Sequence, residues 1–137
     1  VHLEHQIADF LNGDLFAVVG ASADRHKYGN KVLRTYQQHS YNVVPVNPNA
    51  RMVEGLSAVA GISDLPQIPH AISIITPPSV TEGVVNEAIG LGIKHIWMQP
   101  GAESVKAIEM CKSAGINLLH SGPCILVVLG YRESSQA

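Results

Sequence analysis

Short blocks that are apolar on both faces alternate along this chain with longer stretches whose apolar positions recur every three or four residues. Residues 15–19 form the first block, too apolar for a strand with one wet face, and fit a strand in the middle of a parallel sheet. From Tyr28 onward Val32, Leu33 and Tyr36 keep helical spacing until His39, Ser40 and Tyr41 break it. Residues 41–46 supply a second strand, in which Pro45 signals incomplete pairing. Residues 71–75, 94–99 and 116–120 supply three more. Between them, Val80, Val84, Val85, Ala88 and Ile89 define a helix with a wide apolar face. Ser79 and Glu82 stand at capping-box spacing at its start, and Gly90 and Gly92 end it. Val105, Ile108 and Cys111, with Lys112, define another helix that runs up to Gly115. Ahead of the first strand, Leu3, Ile7, Phe10 and Leu11 predict a short helix against the sheet edge, closed by Asn12 and Gly13. Residues 51–69 read as a loop with a short helix near residues 57–59. Periodicity does not assign the run at residues 124–130, and residues 132–137 read as a frayed tail.

Strands alternating with crossover-length helices predict an α/β fold of Rossmann-like, doubly wound type. The expected sheet is parallel, with five or six strands, in a three-layer α/β/α arrangement. The 137 residues suit one domain, with its core over about residues 15–130. Nine basic and eleven acidic residues are nearly balanced, so no nucleic-acid surface is indicated. No apolar run is long enough to span a bilayer, and two cysteines give no disulfide framework, so a cytoplasmic setting is expected. The sequence opens on Val1 without an initiator Met, which points to removal of a preceding piece, and no signal-peptide pattern is present.

In such a fold ligands lie beyond the carboxyl ends of the strands, so the loops opening at Gly20, Asn47, Thr76 and Gln99 share one rim, with the turn at Ser121 as a fifth contributor. At the first loop a helix N-terminus beside the amides of Gly20, Ala21, Ser22 and Ala23 attracts phosphate. Arg25, Lys27, Lys31 and Arg51 are near enough in sequence to add charge. A fold of this class that binds NAD usually carries Asp or Glu at the end of the second strand; here Asn47 and Pro48 stand there, which disfavours NAD and leaves room for a phosphorylated ribose. Thr76, Pro77 and Pro78 are expected as a wall opposite the first loop, and Cys124 near the rim. No nucleophile, base and orienter fall together, so no catalytic residue is assigned. His2 and His5 lack a third metal ligand nearby and read as a solvated helix end; His26 reads as facing solvent, His120 as a strand end, and Trp97 and Met98 as core.

Several motifs, in order, carry a family resemblance. VVGAS followed by YGNKVL, then VVPVNP, ITPPSV, WMQPGAE and HSGPC lie at matching intervals from about residue 16 to residue 130. Together they resemble the CoA-binding domain family, small stand-alone relatives of the CoA-binding domain of the succinyl-CoA synthetase alpha subunit. The resemblance implies CoA or acyl-CoA as the ligand, with Tyr28 and Gly29 in the phosphate turn, Val46 beside the adenosine, Val80 after the proline turn, and Gln99 and Cys124 in the last two turns. It implies a non-catalytic carrier, sensor or partner module, and leaves a homodimer or a partner protein open. The ligase's catalytic histidine lies in a second domain with no counterpart in these residues, and Gln99 stands where the ligase turn has Glu, so ligase activity is not carried over. Redox-sensing repressors use a similar domain for NADH. The alternative is therefore an NAD(P)-binding domain of a redox sensor, or of an oxidoreductase missing its second component.

Overall fold

The computed structural model describes residues 2–133. Its central sheet has five strands: β1 (Phe16–Val19), β2 (Val43–Val46), β5 (Ala71–Ile74), β6 (His95–Met98) and β7 (Asn117–Leu119). A two-stranded hairpin, β3 (Met52–Val53) and β4 (Leu56–Ser57), and a 3₁₀ turn at Ile62–Asp64 stand between β2 and β5. The helices are α1 (Leu3–Leu11), α2 (Tyr28–Gln38), α3 (Pro78–Leu91), α4 (Val105–Ser113) and α5 (Ile125–Leu129). The sheet order is β2-β1-β5-β6-β7, and every pairing in it is parallel, with Val18 opposite Pro45 on one side and Ser73 on the other. The chain leaves β1 for β2 on one flank and returns to β5 on the other, so a crevice opens between the carboxyl ends of β1 and β5.

Alternation along β1 explains the two-faced core. Ala17 and Val19 face a cluster with Ile72, Ile74, Val85, Ala88, Ile96, Met98, Ala107 and Cys111, under α3 and α4. Phe16 and Val18 face the other cluster, with Phe10, Val32, Leu33, Tyr36, Trp97 and Ile125, under α1, α2 and α5. All four β1 residues are buried, as their apolar run requires. Trp97 is fully buried and its Nε1 donates to the Pro123 carbonyl at 2.9 Å.

Pro45 is tolerated because β2 is an edge strand. The Phe16 and Gly20 amides donate to the Asn42 and Val46 carbonyls, so the even-numbered residues of β2 face β1 and the proline nitrogen falls on the outer side. There the Val59 amide donates to the Pro45 carbonyl and the Asn47 amide to the Val59 carbonyl. That pairing corrects the expected helix near residues 57–59: Ser57 lies in β4, and Val59 bridges to Val46. The capping box is also corrected. Pro77 is the N-cap and Pro78 the first residue of α3, without a side-chain cap, while Glu82 accepts from the Ser104 hydroxyl. Val80, expected on the apolar face, is half exposed, and Thr81 takes the buried position. Gly90 lies inside α3, and Gly92 ends it in the left-handed region at φ 80°. The unassigned apolar run is helical, as α5 with Cys124 at its N-cap. Of the expected tail, residues 134–137 lie outside the described residues. Arg132 is tied to Gln38 through two hydrogen bonds, and Glu133 bonds Arg34 and Tyr131.

Candidate functional site

The crevice between β1 and β5 is a cleft of about 750 Å³. Gly20 opens its floor at φ 96°, a conformation that favours glycine, and a Cβ there would meet the Ile75 backbone at 3.1 Å. The first turn of α2 then packs directly on this bend: a Cβ at Gly29 would lie 2.1 Å from the Gly20 carbonyl oxygen. Two glycines thus let the loop and the helix start touch.

Between them, side chains fix which way the loop's peptide groups point. Asn47 Nδ2 donates to the Ala21 carbonyl at 2.7 Å, and Asn30 Nδ2 to the Ser22 carbonyl at 2.8 Å. In a planar trans peptide the carbonyl and the next amide point in opposite directions, so these bonds turn the Ser22 and Ala23 amides the other way. Among the described residues, the amides of Ala21, Ser22 and Ala23 have no partner. The Asp24 amide donates to Ser22 Oγ and the His26 amide to Asp24 Oδ1. That last bond, chiefly, holds the Asp24 carboxyl below its ordinary value. The available amides of this loop, beside the start of α2, present partial positive charge where Ala21 and Ser22 line the cleft.

Most of the expected site residues meet here. Gly20, Ala21, Ser22, Lys27, Tyr28, Gly29, Val46, Asn47, Pro48, Thr76, Pro77 and Val80 line the cleft. Ala23, Arg25, Lys31, Arg51, Pro78, Gln99 and Cys124 do not. Arg25 pairs with Glu54 at 2.8 Å, Lys31 lies 3.6 Å from Glu133, and Arg51 is exposed on the turn before β3. Gln99 and Cys124 form a layer behind Tyr28: the Tyr28 hydroxyl donates to Gln99 Oε1 and contacts Cys124 Sγ, while the Ile125 amide donates to Gln99 Oε1. Burial, followed by the Cys124 contact, raises the Tyr28 phenol above its ordinary value. Gln99 is fully buried, and its Nε2 has no partner among the described residues.

Other lining residues escape the sequence reading. Val84 and Glu87 follow Val80 at helical spacing on α3, and extending that stripe would have found them. Ala60, Gly61 and Ile62 come from an irregular loop with no periodic signal. His26 is exposed beside Asp24, and His120 bonds Ser121 Oγ. Among the described residues no group of three His, Cys, Asp or Glu side chains could hold a metal, and no helix is long and apolar enough to cross a membrane.

The chain is similar to a conserved hypothetical protein from Pyrococcus furiosus of known structure. They share 38% sequence identity with a TM-score of 0.78, over 82% of this chain and 97% of that one. It is 25% identical over 99 residues to the uncharacterized protein YneT of Bacillus subtilis, covering 72% of this chain and 73% of that protein. It is also 23% identical over 113 residues to an ADP-forming acetate–CoA ligase of Archaeoglobus fulgidus, covering 75% of this chain but 16% of the ligase. The model of the CoA binding domain matches residues 14–130, which hold every strand of the Rossmann-like sheet and the cleft between β1 and β5, so the chain belongs to the CoA binding domain family.

Proposed function

We propose that this domain binds CoA or acyl-CoA in the β1–β5 cleft and acts as a non-catalytic carrier, sensor or partner module. The observation that carries the reading is the floor of the cleft. The loop beside the start of α2 carries three backbone amides without partners among the described residues, of which those of Ala21 and Ser22 belong to residues lining the cleft; this suits a pyrophosphate and needs no metal. Thr76, Pro77 and Val80 supply an opposite wall of largely apolar character, suited to contact by shape. The end of β2 favours CoA over NAD. Asn47 spends Nδ2 on the Ala21 carbonyl and Oδ1 on the Asn49 amide, so it offers no carboxylate to a ribose diol. Lys27 lies on the rim as the cation nearest to hand for a ribose phosphate.

Calorimetric titration with CoA, acetyl-CoA, dephospho-CoA, NADH and NADPH tests the reading. CoA or its thioester binds in the presence of a chelator, and more tightly than either nicotinamide cofactor. Preference for NADH or NADPH would overturn it in favour of a redox-sensing role. Equal affinity for CoA and dephospho-CoA would remove the ribose phosphate from the contacts while leaving the pyrophosphate site standing.

A further inference from the structure

The loop that floors the cleft is held from behind by residues that do not line it. Glu54 occupies the tip of the β3–β4 hairpin at φ 49°, and its side chain is only 12% exposed. Its Oε1 accepts from Arg25 Nη1 at 2.8 Å and its Oε2 from Asn30 Nδ2 at 2.9 Å, while its backbone carbonyl accepts from Gln37 Nε2. Asn30 is fully buried and relays this anchor. The same Nδ2 donates to the Ser22 carbonyl, and Oδ1 accepts from Arg34 Nε at 2.7 Å. Arg34, itself buried, donates from Nη2 to the Arg25 carbonyl at 2.9 Å. Two of the loop's carbonyls are thereby drawn to the back. The plane of the Ser22–Ala23 peptide then turns the Ala23 amide away from Asn30, on the loop whose Ala21 and Ser22 line the cleft.

We infer that Glu54 is a positioning residue for anion binding, acting through Asn30 to preset the Ala23 amide although it lies outside the cleft; this rests on the reading that the cleft takes a diphosphate. A carboxylate close to an anion site opposes binding by charge alone, so electrostatics and positioning predict opposite signs for its removal. Glu54→Gln removes the charge but keeps the shape, and its amide group meets one of the two donors with another donor. Glu54→Asp keeps the charge but is one methylene too short to hold Asn30 and Arg25 together.

The full chain and both variants are titrated with CoA and with inorganic pyrophosphate, and the Ser22 and Ala23 amides are followed by nitrogen-15 NMR without ligand. Both variants lose about tenfold in affinity for each probe, the scale of one charge-assisted hydrogen bond. Both also shift the two amide signals while the melting temperature stays near that of the parent. Equal or tighter binding in Glu54→Gln, full affinity in Glu54→Asp, or unmoved Ser22 and Ala23 signals would each overturn the inference. If the parent binds pyrophosphate but not CoA, the proposed ligand fails and the positioning role still stands or falls on the pyrophosphate data. If it binds neither, the diphosphate reading and the positioning role fall together.

Discussion

Replacing Gly29 by alanine tests the joint between β1 and α2 on which the cleft floor depends. By helix propensity alone alanine is favoured by about 1 kcal/mol, so a helix without tertiary contacts would gain stability. Here the added Cβ would stand 2.1 Å from the Gly20 carbonyl oxygen, where real Cβ atoms essentially never come within 3.0 Å. Helix and loop must therefore part by roughly 1 Å, and since the obstacle is backbone, no side chain can rotate away. Overpacking of this kind costs about 1–3 kcal/mol. Set against the propensity gain, we expect a net loss of up to about 2 kcal/mol, or up to about 8 °C in Tm for a domain of this size. The same movement displaces the Ala21, Ser22 and Ala23 amides, so CoA affinity falls more than about tenfold, beyond what one hydrogen bond supplies. Circular-dichroism melting and calorimetric titration read both effects. A Gly29→Ala protein at least as stable as the parent, with unchanged CoA affinity, would refute the close-packing argument and the placement of the site together.

Gly83→Ala is the matching control, because a Cβ at this mid-helix position of α3 meets nothing within 4 Å; it should raise stability by up to about 1 kcal/mol in the same melt. Asn47→Asp replaces the donor to the Ala21 carbonyl by an acceptor, and should weaken CoA binding and lower stability by about 1–3 kcal/mol, seen as a lower urea midpoint at unchanged slope. His95 is stacked on His70 with ring centroids 4.3 Å apart, and its pKa is lowered below the ordinary 6.5 by burial first and by His70 second. Its contribution to stability is therefore present above pH 6.5 and lost as pH falls, so the urea midpoint should drop between pH 7.5 and 5, and drop less in His95→Gln. Cys111 is fully buried and its thiol is pushed up to about 11, whereas Cys124 is partly exposed, so iodoacetamide should label Cys124 in the native protein and Cys111 only on unfolding, as read by peptide mass.

Each central strand was legible because burial on both faces leaves an unbroken apolar run, and each long helix because one face repeats at its own period. Gly20, Asn47 and Thr76 could be placed on one rim for the same reason: in a parallel doubly wound sheet, every strand end points to the same side. Local signals failed where partners are distant. The stretch around Ser57 became a hairpin and a bridge because the outer edge of β2 accepts Val59, a fact about the neighbouring strand. The run after Cys124 became a helix whose first amide is held by Gln99, from a different strand end. Arg25 and Lys31 read as phosphate ligands by proximity in sequence, yet their charges turn to Glu54 and Glu133. Glu54 itself carried no signal at all. Hydrophobic period reports which face of an element is buried, and so fixes elements and layers. The aim of a peptide amide depends on hydrogen bonds from elements far away in the chain, and only folding brings those together.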